Sequence, residues 1–195
     1  YGEIDTLLAA SGGPLFGIAN EFFDALPVTQ LIRHHGNWHQ DSTRGDIIPE
    51  IKEHPILIGV QDIWGPSDVY RTYEEGSGLP VGCTALVMGQ PLVGRKQGGA
   101  ANPEKAPLPV VWFKHWNTTG SQTARVLQST MGSGKDLQNP GLRRLIINAT
   151  YWGLEMEDQI SAERSVAYTS AYEPLNSGFN YKKLGVAPHP PAFYR

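Results

Sequence analysis

Three histidines, His34, His35 and His39, stand within six residues of one another, beside Asp41 and Arg44. An imidazole titrates near neutral pH, so each could act as general acid or base. Asn37, Trp38 and Gln40 lie among them. Planar amides and an indole face are the groups that sugar recognition uses. The competing reading is an exposed polar loop whose histidines cap backbone groups. Asp68 and Tyr70 are two residues apart, so in a strand they share one face. A carboxylate and a phenol there could bind sugar hydroxyls, or Asp68 could be buried and hold backbone amides. His54 precedes Pro55, which keeps it extended, either facing a site or bracing a turn. Lys114 and His115 end the strongest apolar run, and at most one of two adjacent strand residues enters a given pocket.

Three further signals fail on their own chemistry. Gly132-Ser133-Gly134-Lys135 hints at a phosphate loop, but Asp136 follows the lysine where Ser or Thr must bind magnesium. The first glycine of that pattern is Ser129 instead. Cys83 lies in Pro80-Val81-Gly82-Cys83-Thr84-Ala85, which leads into a strand and lacks the glycine-flanked elbow of a nucleophile. An ordinary thiol and no glutaminase activity are expected. The clustered histidines could hold a metal, yet no HExxH or comparable spacing accompanies them. No cofactor is assigned, and a metal-dependent hydrolase stays as a third alternative.

The elements that would position these residues are legible around Ala124 to Trp152. Ala124 to Ser129 reads as a strand, Thr130 to Asp136 as a glycine-rich loop and candidate site edge. Asn139 and Pro140 then read as N-cap and first residue of a helix. Leu142, Leu145, Ile146, Ala149 and Trp152 form its apolar stripe, with Arg143, Arg144 and Asn148 opposite and Gly153 at the C-cap. A strand, loop and helix in this order are the unit of α/β folds, whose ligands sit beyond the carboxyl ends of the strands. Upstream, Ser11-Gly12-Gly13-Pro14 is expected to start a helix with the stripe Leu15, Ile18, Phe22 and Leu26 that Pro27 ends, and Val28 to Ile32 reads as a strand. Gly36 to Gly45 reads as a polar loop, Ile47 to Ile51 as a short extended segment, and Asp68 to Tyr73 and Thr84 to Met88 as strands. Gly89 to Pro109 reads as a long insertion, of a length usually functional or mobile. Val110-Val111-Trp112-Phe113 is apolar on both faces, as in a central parallel strand.

The 195 residues suit one domain able to bury roughly 70% of its unfolded surface. A net charge of −3 gives no electrostatic footprint for nucleic acid or membrane. The single cysteine excludes an intrachain disulfide, and no run approaches the length of a transmembrane helix. The chain starts at Tyr1 with no charged and apolar leader, so a targeting segment is expected to be absent or removed. An open α/β domain would also need a first strand and helix before Tyr1, so its N-terminal part is expected to be missing or replaced.

Taken together, several runs resemble the ThuA-like (trehalose-utilisation) family. His54-Pro55-Ile56, Gly59 and Asp68-Val69-Tyr70 look like its HPI…G…D-E-x-Y run. Pro109 to Trp112, Ala124-Arg125-Val126, Met131-Gly132, Leu142 to Leu145 and Trp152 resemble its C-terminal half. The likeness covers roughly Ile32 to Asp158. It is nearest to the larger members from environmental bacteria, in which the loops His34–His39 and Ser42–Gly45 and the run Gly178 to Val186 take a similar form. Tyr1 to Pro27 does not match, and Ser133 stands where many members carry a histidine. The resemblance implies a class I glutamine amidotransferase-like, flavodoxin-like, mainly parallel α/β fold over residues 28–158. Residues 1–27 would precede it, and a Pro/Tyr-rich tail over 159–195 would lie on its surface. It also implies a bacterial protein, cytoplasmic or exported, acting in the breakdown of trehalose or related disaccharides and keto-sugars.

The expected partner is a small carbohydrate, with no nucleic acid or membrane and with homo-oligomerisation open. The acid/base groups would be His34, His35, His39 and Asp68. Asn37, Trp38, Arg44, His54, Tyr70, His115 and Ser133 would bind substrate. The alternative is a non-catalytic sugar-binding or scaffold module on the same fold. One pocket is expected to join Arg33–Arg44, Thr130–Asp136 and the end of the Trp112–Trp116 strand.

Overall fold

The computed structural model describes residues 33–34, 41–71, 78–117 and 123–174, with backbone alone at 33, 34 and 71. Their main body is a five-stranded, wholly antiparallel sheet with one α-helix against it. In chain order, β1 (Arg33–His34) pairs with β4 (Tyr70–Arg71) in a separate two-stranded ladder. The large sheet contains β2 (Asp41–Ile47), β3 (Ile63–Gly65), β5 (Cys83–Val93), β6 (Leu108–Asn117) and β7 (Thr123–Ser129). Its spatial order is β3-β2-β5-β6-β7. Helix α1 spans Pro140–Gly153.

This overturns the mainly parallel, flavodoxin-like, class I glutamine amidotransferase-like α/β expectation. β5, β6 and β7 follow one another directly as an antiparallel meander. A parallel pair would need a crossover of a dozen or more residues, usually a helix, between neighbours. The supposed insertion from Gly89 is largely strand, since β5 continues to Val93, and the connection proper is residues 94–107. Likewise the supposed polar loop before Gly45 ends inside β2. Of the strand expected over Asp68 to Tyr73, Tyr70–Arg71 is extended and Asp68 precedes it. The helix and strand expected before Ile32 and the tail from Leu175 lie outside the described residues.

The double-sided apolar run has a different cause. Along β5 and β6 the register passes from Ala85↔Trp112 to Val87↔Val111, then to Met88↔Pro109. Leu86 is thus extra on one strand and Val110 on the other, and the two bulges restore the register. A bulge interrupts two-residue alternation. Leu86, Val87, Val110 and Val111 are therefore all fully buried, although consecutive. The bulged carbonyls stay bonded, to the N–H groups of Ile48 (3.1 Å) and Thr130 (2.9 Å).

Helix α1 starts as its sequence dictates. Asn139 Oδ1 accepts the Leu142 N–H at 2.8 Å, and Pro140 occupies the first turn. Asn139 Nδ2 donates to the Asp62 carbonyl at 2.8 Å, so the same side chain fixes the approach to β3. Gly141 is required here, because a Cβ would lie 1.9 Å from the Gln61 carbonyl oxygen. Leu142, Leu145, Ala149 and Trp152 pack into one core with Ile56, Val60, Ile63, Val87, Val111 and Phe113. Each fully buried leucine contributes about 1.5–3 kcal/mol, so this stripe outweighs the single cap.

The face assigned to solvent is occupied instead. Asn148 is 2% exposed and donates to the carbonyls of Ile56 (3.0 Å) and Ile58 (2.9 Å). Arg143 donates to Val166 O and Tyr168 Oη, and Arg144 to Ser161 O and Arg164 O, so the segment after the helix is strapped over it.

Candidate functional site

Two concavities share Trp64 and Gln97. The first, of about 480 Å³, lies between β3, the β5–β6 connection and the turn into α1. The second, of about 620 Å³, lies over β2 on the other side of Trp64. Trp64 faces them because β3 alternates: Ile63 and Gly65 are buried and the residue between them points outward.

Each wall is held by polar contacts within the fold. The Trp64 indole N–H donates to Ser42 Oγ at 3.3 Å, and Ser42 Oγ donates to the Gly94 carbonyl at 3.0 Å. Gly94 opens the connection that carries Arg95 and Gln97. Asp41, at the start of β2, binds the far part of that connection through Lys105 Nζ and through Asn102 at 3.4 Å. The Asn102 N–H donates to the Pro91 carbonyl at 2.8 Å, and Val93 N–H to that of Ala100 at 2.8 Å. The connection is thus an ordered wall.

The opposite wall depends on Asp136, which is fully buried. Its carboxylate accepts from the N–H groups of Ser67 (3.1 Å), Gly132 (3.0 Å) and Ser133 (3.1 Å), and from Ser67 Oγ (2.6 Å). A Cβ on Gly65 would fall 2.2 Å from Asp136 Oδ1, so only glycine lets the carboxylate in. The glycine-rich loop that hinted at a phosphate cradle therefore wraps its own carboxylate. Lys135 and Gln138 project from this anchored turn into the first cleft, and Arg95 Nη2 reaches across to the Pro66 carbonyl at 3.4 Å.

The residues singled out by sequence fall in several places. His35, Asn37, Trp38 and His39 lie outside the described residues, and of His34 only the backbone is placed, opposite Tyr70. Asp68 is buried and Tyr70 half-buried. Arg44 lines the second cleft, in a two-pronged ion pair with Asp46 at 2.8 and 2.9 Å. Ser133 Oγ lies 3.2 Å from Ser67 Oγ and accepts the Asp136 N–H at 3.3 Å.

His54 and His115 come together around Phe113 and Trp152. His54 is 4.6 and 5.6 Å from those rings and His115 is 5.8 and 5.6 Å, centroid to centroid. His54 Nδ1 accepts the Ile56 N–H at 3.3 Å, which caps the turn at Pro55. Burial first, then the neighbouring His115 and Arg125, push the His54 imidazole below its ordinary value, against a smaller pull from Glu157. Arg125 ties this end of the molecule together, donating to the Trp152 carbonyl at 2.6 Å and pairing with Glu157.

The single pocket expected at the carboxyl ends of β6 and β7 has lost its geometric basis. Asn117 at the end of β6 pairs with Thr123 at the start of β7, so the two carboxyl ends lie at opposite ends of the hairpin. Cys83 opens β5 opposite Lys114 and is half-buried. Among the described residues no group of three or more His, Cys, Asp or Glu is placed to hold a metal, and no helix is long and apolar enough to cross a membrane.

Sequence reasoning missed Trp64, Arg95, Gln97 and Gln138, and held Lys135 only as part of the candidate edge Thr130 to Asp136. The length of the segment after Gly89 was the signal for the wall that carries Arg95 and Gln97. No family model, curated protein or solved structure matches the chain.

Proposed function

We propose that the protein is a carbohydrate-binding module whose site is the pair of clefts flanking Trp64. The observation that carries this reading is one half-exposed indole, fixed through Ser42, facing side-chain amides across a concave surface. A sugar ring presents C–H groups to an aromatic face and hydroxyls at its rim. Trp64 supplies the first contact. The amides of Gln97 and Gln138, which make no side-chain hydrogen bond among the described residues, supply the second. Binding is favoured over turnover because the charged groups are divided between the clefts: Arg95 and Lys135 line the first, while Asp46, paired with Arg44, and Asp62 line the second. The carbohydrate class is the one that the ThuA-like runs imply, while the parallel fold implied with it is not retained.

The test is an NMR titration with neutral mono- and disaccharides, trehalose included, following the Trp64 indole N–H. A saturable shift at Trp64 is expected, and Trp64→Ala should weaken binding about tenfold, close to the upper worth of a stacking contact. A panel in which no sugar moves that resonance, and none binds by calorimetry, would remove the reading.

A further inference from the structure

We infer that the ligand of the Trp64 cleft carries an anionic group, a carboxylate or a phosphate, held between Arg95 and Lys135. This rests on the carbohydrate reading and narrows it to acidic or phosphorylated sugars. The two cations come from independent elements, Arg95 from the β5–β6 connection and Lys135 from the turn before α1, yet both line the same cleft. No acidic residue lines that cleft, and neither cation meets a carboxylate within ion-pair distance among the described residues. The chain as a whole has a net charge of −3, so two unmatched cations facing one cavity are a local departure from its background.

The neighbouring cleft gives the contrast. There Arg44 is closed off by Asp46, and Asp62 adds a second carboxylate. The charge therefore changes sign along the groove, with Trp64 at the divide. A ligand lying over the indole would place its anion toward Arg95 and Lys135 and its neutral hydroxyls toward Asp46 and Asp62, which accept hydrogen bonds. Arg95 can grip an anion with two parallel N–H groups, whereas Lys135 acts as a mobile point charge.

The experiment compares a neutral disaccharide, the matching uronic-acid disaccharide, a sugar phosphate and inorganic phosphate, by calorimetry on the full chain. At low salt the acidic sugars should bind about tenfold or more tightly than the neutral one, and inorganic phosphate more weakly than the sugar phosphate. In about 1 M salt, where screening acts within about 3 Å, that advantage should shrink toward zero. In the Arg95→Gln, Lys135→Gln double variant the affinities for acidic and neutral sugars should converge. Tighter binding of the uronate would assign the anion as a carboxylate, and of the sugar phosphate as a phosphate. Equal affinity of neutral and acidic sugars in the unaltered protein would overturn the inference and leave sugar binding standing. Inorganic phosphate as tight as sugar phosphate, with no neutral sugar bound, would overturn both.

Discussion

At His54 the fold uses the neutral imidazole. Its Nδ1 must keep a lone pair to accept the Ile56 N–H, and a positive charge would sit half-buried beside His115 and Arg125. The folded state therefore binds the proton less readily than the unfolded chain, whose imidazole titrates near about 6.5. Stability should be fully present above that value and fall as pH drops below it, until the lowered folded-state value is passed. Urea midpoints across this range should show the slope, and His54→Gln should flatten it while lowering stability at neutral pH. An unchanged slope in that variant would assign the acid sensitivity to another group. The sequence left His54 with two roles, facing a site or bracing a turn, and the bond to Ile56 shows the brace. Nothing in the spacing could show His115 beside it, because that contact joins residues on separate elements.

Among the elements, the turn into α1 shows what local sequence can and cannot tell. Asn139 and Pro140 announced the helix start, and the cap bond is there, since capping depends on residues within one turn. The C-cap falls one residue beyond the expected glycine, at Leu154, and Gly153 is the last helical residue. Arg143 and Asn148 looked solvent-facing by periodicity, but the Pro55 turn and the segment after Ser161 cover that side. The glycine-rich loop was read as an exposed site edge because its filler, Asp136, takes two of its four bonds from Ser67, 69 residues away, and two from its own loop. Asp136→Ala would remove the buried carboxylate that three N–H groups and the Ser67 hydroxyl share. A loss of about 3 kcal/mol or more in unfolding free energy is expected, since breaking a buried charged network costs about that much. Asp136→Asn should cost less, as one amide oxygen can still accept. A change below about 1 kcal/mol for the alanine variant would mean that the turn is held by α1 alone. Lys105→Met should act on the other wall, releasing Asp41 and weakening sugar binding more than Asp136→Asn does.

For the whole molecule, apolar runs alone did not settle the direction of the strands. A strand, a loop and a helix in sequence fit both a parallel α/β unit and the last hairpin strand of an antiparallel meander followed by a helix. Val110 to Phe113 tipped the reading the wrong way, because paired bulges at Leu86 and Val110 bury consecutive residues as a central parallel strand would. The two topologies differ most clearly at Gly89 to Val93. Under the α/β reading those residues begin a loop; in the fold they pair with Asp41 to Gly45. The Val93 N–H is turned toward Ala100, so alternation directs the Leu92 and Gln90 N–H groups toward β2. Amide exchange followed by NMR should therefore find Gln90 and Leu92 protected alongside Val87 and Val111, near the level set by global unfolding. Among the described residues β7 pairs with β6 alone, so its amides should exchange at every second residue. Fast exchange at Gln90 and Leu92, with protection confined to Thr84–Met88 and β6, would break the β2–β5 ladder. It would also remove the support for the Trp64 clefts, because Ser42, Asp41 and Arg44 reach them from β2.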